Sequence, residues 1–273
     1  ALERARGFPD KHKLVDKVMW FELTKANINY AKMTFHDATF TGLPEDDFDR
    51  SLVRMDRPAF ATALPMDPLQ KEAFDLSAGK RSFAFYEKPG AGKTKIMLDV
   101  AVRLWCEGAI DGLLVVSYKD VHEQWILDEA PKHISKTIPW IGEALRSDKP
   151  LVSDVLKPDG SKLRILAVNY EAYATSTKAR KVIEDFYRSG NIACVADESH
   201  RLMNPESKTA AEMTADQSAF SHRFVASGEP TPRGLENYYA QMRFLDPAIL
   251  GVVSYAGFKA MFCRMNQHRQ IVD

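Results

Sequence analysis

From residue 82 onward the chain alternates short apolar runs with amphipathic stretches, and this alternation restricts the fold more than any single motif. The runs SFAFYE (82–87), LLVVSY (113–118), LRILAVNY (163–170), IACVADES (192–199) and HRFVAS (222–227) read as strands. The stretches GKTKIMLDVAVRLWCEG, DVHEQWILDEAPKH, TKARKVIEDFYRSG, PESKTAAEM and GLENYYAQMRFL between and after them read as helices. The first places Ile96, Val100 and Leu104 on one face. The second is expected to break near Pro131, and the fourth to open with Pro205 in its first turn, where a missing N–H is tolerated. Strands that are apolar nearly throughout must be covered on both sides. The pattern therefore predicts an α/β fold, a mostly parallel sheet with helices on both faces.

Ligands of such sheets bind beyond the carboxyl ends of the strands. Polar residues collect there: Glu87–Thr94, Ser117–Asp120, Asn169–Tyr170, Asp197–His200 and Ser227–Arg233. The first cluster contains Gly90-Ala91-Gly92-Lys93-Thr94, set between a strand and a helix. Glycines there let backbone N–H groups turn inward, and the helix start adds partial positive charge, so the loop suits phosphate. Lys93 can then reach the β- and γ-phosphates, and Thr94 can offer its hydroxyl to Mg2+. The common form G-x-x-x-x-G-K-[ST] begins with glycine, where this chain has Glu87. The plainer alternative is a glycine turn ahead of a surface helix. In CVADESH, Asp197 is assigned to the metal and Glu198 to the attacking water, with His200 as a bridge to a neighbouring loop. The alternative is a helix cap.

Composition bounds the partners. Lys plus Arg equals Asp plus Glu, so bulk charge gives nucleic-acid binding no support, while a local basic face stays open. Cys106, Cys194 and Cys263 are far apart, which reads as reduced thiols in an intracellular protein, without disulfide or zinc site. The apolar runs are too short to span a bilayer, so no membrane is expected. The start, ALERARGFPD, lacks both a signal-peptide core and an initiator Met and reads as a processed chain or a fragment. Residues 1–65 read as an N-terminal extension packing on the main domain. In it LVDKVMWFEL is a candidate amphipathic helix, NINYAKMTF a short hairpin and LPEDDFDRSLVRMDRP a charged loop. Residues 147–162 read as a surface insertion ending in a Pro-Asp-Gly turn, and Trp105 and Trp125 as core residues. The basic run Lys178, Arg180 and Lys181 reads as a solvated helix face.

Taken in order, these motifs resemble the first RecA-like lobe of a superfamily 2 helicase or translocase. The likeness is to Swi/Snf-type and DEAD/DEAH-like proteins, including bacteriophage forms, and covers about residues 66–265. DPLQKEAF supplies Gln70 where the family has an adenine-reading glutamine. The acidic Glu87 is similar to the family's D-E-x-G-x-G-K-T. LLVVSYKDVHEQW carries the Gln124–Trp125 pair, ILAVNYEAY resembles the strand ending in T-Y-E, and Asp197, Glu198, Ser199 and His200 match D-E-x-H. RLMNPESK, QMRFLDPAILG and SYAGFKAMFC are similar to later segments, and Ser227-Gly228-Glu229-Pro230 to the coupling motif [ST]-G-T-P.

The resemblance implies a RecA-like P-loop NTPase lobe over 66–273 that takes ATP and Mg2+. Gln70, Gly90, Ala91, Gly92, Lys93 and Thr94 would bind nucleotide, Thr94 and Asp197 the metal, with Lys93 and Glu198 catalytic. His200, Ser227, Gly228 and Glu229 would couple, and Ser117, Lys119, Asn169 and Tyr170 would hold a nucleic-acid backbone, without sequence specificity. The implied function is a DNA-dependent ATPase that translocates on or remodels double-stranded or branched DNA, including a phage protein acting in a bacterial cytoplasm. A non-catalytic ATP-responsive module is the alternative. Another P-loop motor, such as a packaging ATPase, is a third, against which Gln70 and D-E-S-H count. The sequence departs from the pattern at Glu229, which replaces threonine, at Leu69, where histidine often stands, and at Ser117–Tyr118, which lacks a proline. It also stops at Asp273, before any second RecA-like lobe. An arginine finger from that lobe is worth about 10³–10⁵ in rate, so this chain alone is expected to bind ATP weakly and hydrolyse it poorly.

Overall fold

The computed structural model describes the backbone of residues 12–15 and 18–21, and residues 57–146, 153–157, 160–252 and 254–263. Strands β1 (His12–Val15) and β2 (Val18–Phe21) pair antiparallel, with Val15 opposite Val18. This corrects the expected helix in LVDKVMWFEL. Val15, Val18, Trp20 and Phe21 are β-branched or aromatic, and such side chains fit a pleated ladder better than a helix. The NINYAKMTF hairpin lies outside the described residues.

The main sheet has six described strands, all parallel: β3 (Ser82–Tyr86), β4 (Gly112–Ser117), β5 (Trp140–Ala144), β6 (Leu163–Asn169), β7 (Ile192–Asp197) and β8 (His222–Ser227). Their order is β3-β8-β7-β4-β6-β5. Leu113 and Val115 of β4 point into one apolar cluster, Leu114 and Val116 into the other, so the sheet is buried on both faces as its composition required. Strand β5 was not anticipated. WIGEA is only half-buried, pairs with β6 alone and carries no apolar run.

The helices are α1 (Pro68–Leu76), α2 (Lys93–Cys106), α3 (Val121–Gln124), α4 (Ala130–His133), α5 (Tyr170–Thr175), α6 (Thr177–Arg188), α7 (Lys208–Asp216), α8 (Tyr238–Leu245) and α9 (Tyr255–Phe262). A π-turn, Trp125–Glu129, joins α3 to α4, so the helical path passes Pro131 and its irregularity falls at Trp125 instead. Helix α7 starts after Pro205, because the Ser207 side chain caps it by accepting from the Ala210 N–H. Within the 147–162 insertion, Ser153–Leu156 forms a 3₁₀ turn that buries Val155, and Arg164 donates to the Val155 carbonyl.

Residues 57–66 pack as a strap along α2. Arg57 donates to the carbonyls of Trp105 (2.6 Å) and Ile110 (2.8 Å) and pairs with Asp111 (3.0 Å). Phe60 stacks on Phe74, and Thr62 bridges to Ile134. The Thr62 hydroxyl accepts from Lys95 (3.3 Å), which is itself paired with buried Asp99. The strap ends at Asp67, which caps α1 in a reciprocal box with Gln70.

Candidate nucleotide and nucleic-acid site

The candidate phosphate loop follows β3, and its backbone explains its glycines. Gly90 (φ 81°) and Gly92 (φ 79°) are left-handed, a conformation that side chains resist. Gly92 also sits against Gln70: a Cβ there would lie 2.4 Å from Gln70 Nε2. The Gln70 amide donates to the Ala91 carbonyl (3.1 Å), so it braces the loop. Lys93 begins α2 and is nearly buried, its ammonium donating to the carbonyls of Glu87 (3.1 Å) and Lys88 (3.4 Å). Glu87 thus acts through its backbone. Thr94, next along α2, is half-buried.

The acidic pair ends β7, two strands from β3. Trp125 donates its indole N–H to Asp197 Oδ2 (3.0 Å), and the Glu198 N–H donates to Oδ1 (3.1 Å). Burial, with the Glu198 charge beside it, pushes the Asp197 carboxyl up to about 6 despite these bonds and nearby Lys93. A divalent cation would restore the ionised form, so the donor set suits Mg2+. Glu198 is one of two described non-glycine residues with positive φ (51°), a strained geometry of the kind found at functional sites. Its Oε2 lies 3.3 Å from His200 Nδ1 and 3.5 Å from the Ser227 hydroxyl.

His200 Nδ1 is also 3.1 Å from Ser227 Oγ, which accepts from the Glu229 N–H (3.1 Å). A Cβ on Gly228 would lie 2.9 Å from Pro89 Cγ, so the loop after β8 packs directly on the phosphate loop. The Glu229 side chain is exposed. The structure therefore brings Gly90–Thr94, Asp197, Glu198, His200, Ser227 and Gly228 to one edge of the sheet.

Two further residues tie this edge together. Gln241 in α8 is fully buried; its carbonyl oxygen accepts from Ser199 (2.6 Å) and Tyr86 (3.1 Å), and its amide donates to Pro230 (2.8 Å) and Asn237 (2.9 Å). It thus joins the ends of β3, β7 and β8. The only signal for it in sequence is a polar residue on an otherwise apolar helix face. Tyr118, noted above only for not being proline, bonds to His200 Nε2 (2.8 Å).

Beyond β4 and β6 lies a cleft of about 300 Å³ lined by Lys119, Arg146, Lys178 and Asn169, with Asp120 and Glu123 also on it. Lys119 and Lys178 are exposed. Arg146 pairs with Glu123 (2.9 Å), and Asn169 caps α5 by accepting from the Ala172 N–H. The expectation for Ser117 and Tyr170 needs correction, because both are buried. The Tyr170 hydroxyl donates to the Asp197 carbonyl (2.7 Å), so it supports the end of β7 and has no face left for a nucleic acid. Of the basic run on α6, Arg180 is committed to Asp216. Trp105 and Trp125 are core residues, as expected.

A parallel sheet with a glycine loop between its first strand and a helix, and the acidic pair of buried Asp197 and part-exposed Glu198 at the same edge, defines a RecA-like lobe. The chain belongs to the SNF2-related domain family, whose model matches residues 25–270. It is 27% identical over 175 residues to the rice DNA repair and recombination protein RAD54, covering 61% of this chain and 17% of that protein. It is 26% identical over 171 residues to Protein CHROMATIN REMODELING 25 of Arabidopsis thaliana, covering 59% and 18%. The chain thus spans under a fifth of the length of these relatives. Among solved structures, the Sulfolobus solfataricus SWI2/SNF2 ATPase core in complex with dsDNA matches with a TM-score of 0.58 at 19% identity, over 75% of this chain and 40% of that one. The UvsW helicase of bacteriophage T4 matches at 0.50 and 14% identity, over 75% and 66%. These likenesses show the RecA-like fold.

Proposed function

We propose that this chain is the ATP-binding first lobe of a DNA-dependent ATPase that translocates on or remodels double-stranded or branched DNA. The observation that carries the reading is the meeting of the phosphate loop, Asp197–Glu198 and the Ser227–Gly228 loop at one sheet edge, next to a cleft with exposed lysines. Family membership supports ATP as the ligand, and the dsDNA-bound Sulfolobus core supports DNA as the partner.

Bound Mg2+·ATP supplies the reacting phosphoryl group and the metal charge that offsets its oxygens. In this reading Lys93 exchanges the carbonyls of Glu87 and Lys88 for phosphate oxygens. Gly90, Ala91 and Gly92 leave the loop amides free of side chains, and the start of α2 favours negative charge. Thr94 and Asp197 hold the metal, Trp125 and Tyr170 fix Asp197, and Glu198 orients the attacking water and takes its proton. His200 and Ser227 hold the Glu198 carboxylate and so connect it to the loop after β8. Lys119 and Lys178 attract the backbone of the DNA, so affinity falls with salt. A second RecA-like lobe, elsewhere in the protein or from a partner, supplies the facing wall and its arginines.

The test is ATP turnover by the full-length gene product with and without double-stranded DNA. Stimulation by DNA that Lys93→Ala and Glu198→Gln each reduce by about 10²-fold or more supports the motor. Nucleotide binding without turnover replaces it with a non-catalytic ATP-responsive module.

A further inference from the structure

We infer that Tyr118 is a positioning residue that links the nucleic-acid cleft to the hydrolytic carboxylate, so that binding of DNA and of nucleotide is coupled through its hydroxyl. This rests on the ligands assigned under the proposed function. Tyr118 lies between Ser117, the last residue of β4, and Lys119 and Asp120, which line the cleft. The turn around it is tightly set: the His122 N–H donates to the Tyr118 carbonyl (3.0 Å), and Asp120 is the other described non-glycine residue with positive φ (69°).

The side chain leaves this turn and reaches the hydrolytic site. Its hydroxyl is 2.8 Å from His200 Nε2. The other ring nitrogen, Nδ1, faces two oxygens, Glu198 Oε2 (3.3 Å) and Ser227 Oγ (3.1 Å). A carboxylate accepts only, so it holds the imidazole proton on Nδ1. Nε2 then accepts the Tyr118 O–H. Burial raises the Tyr118 hydroxyl above its ordinary range, which keeps it a donor at neutral pH. The ring is held on two sides. Its edge meets Tyr170 (6.3 Å), whose hydroxyl supports Asp197, and the Arg201 guanidinium lies 5.3 Å from its centre. Arg201 is itself paired with Glu171 on α5 (2.6 Å).

Any shift of Lys119–Asp120 on binding a phosphate backbone moves this hydroxyl, and the imidazole and Glu198 respond. Coupling of this kind is reciprocal: nucleotide must change DNA affinity by the factor by which DNA changes nucleotide affinity.

The experiment measures the Kd of the full-length gene product for a double-stranded oligonucleotide, with and without a non-hydrolysable ATP analogue and Mg2+. Tyr118→Phe removes one oxygen and keeps both ring contacts. Wild type should show a coupling factor of about 5-fold or more, and Tyr118→Phe a factor within about 2-fold of one. The Kd of each ligand alone and the Tm should stay near wild type, which separates positioning from a general structural role. His200→Leu cuts the same link from the other side, and adding Tyr118→Phe to it should remove no further coupling. An unchanged factor in Tyr118→Phe, or no coupling in wild type, overturns the inference. Coupling without ATP turnover removes the motor reading and leaves the Tyr118 link standing. DNA-stimulated turnover with an unchanged coupling factor in Tyr118→Phe does the reverse.

Discussion

Glu87 stands where many phosphate loops begin with glycine, and only its carbonyl meets Lys93, so the side chain there is free to vary. The requirement for glycine falls elsewhere. Gly228 abuts the rigid ring of Pro89, and Gly228→Ala should cost about 1–3 kcal/mol, the usual price of overpacking. Urea unfolding measures this, and a change below a few tenths of a kcal/mol would show that the two loops part easily. Trp125→Phe keeps an aromatic ring, reduces a fully buried side chain and deletes the N–H that holds Asp197. A bond to a charged group is worth about 1.5–3 kcal/mol and the space left by the smaller ring adds to the loss, so the variant should lose at least that much stability and bind Mg2+·ATP more weakly. Calorimetric titration beside the unfolding curve checks both. The positions of Lys93, Asp197, Glu198 and His200 at one sheet edge were legible because they follow from local spacing after strands. The indole bond of Trp125 spans 72 residues, and the Tyr86–Gln241 bond spans 155. Spacing along the chain carries no trace of either.

At the scale of elements, polar residues decided what periodicity could not. The Arg57 strap holds the C-terminal end of α2 while Gln70 braces the loop at its N-terminal end. Arg57→Ala removes two carbonyl bonds and the Asp111 pair, leaving Asp111 little exposed and without that cation. The expected loss is about 2–3 kcal/mol. It should appear in the unfolding midpoint, and in faster amide exchange at Glu107–Asp111; protection equal to wild type there would show that the strap holds nothing. The strap itself was not readable, because RPAF has no period and its value lies in carbonyls about fifty residues away. The 12–21 ladder was misread for a related reason. LVDKVMWF satisfies a helical stripe as well as an alternating one, and short apolar segments do not separate the two.

Across the whole molecule, the half-buried His222 adds to the acid sensitivity. Burial pulls His222 down to about 4, with Arg81 and Arg223 adding to the shift. In the unfolded chain the same group titrates near 6.5. Between these values the unfolded state binds more protons, so the contribution is complete above about 6.5 and is lost as pH falls through 4. The loss is on the order of 2–3 kcal/mol, and His222→Gln should flatten the pH dependence of unfolding over that window relative to wild type. Parallel curves for the two proteins would exclude His222 as its source.

What the sequence by itself determined is the layered α/β plan and the edge on which chemistry collects. A strand covered on both faces must be apolar nearly throughout, and a parallel sheet must place its loops at one end, so both facts are written in residue order. What only the tertiary structure decided is the strand order β3-β8-β7-β4-β6-β5 and the contacts it permits. With β8 placed between β3 and β7, and β4 next to β7, Gly228 reaches Pro89, Gln241 reaches Tyr86, and Trp125 reaches Asp197. Hydrogen bonds and steric contacts act over a few ångströms in space, and no pattern along the chain encodes which distant residues will come that close.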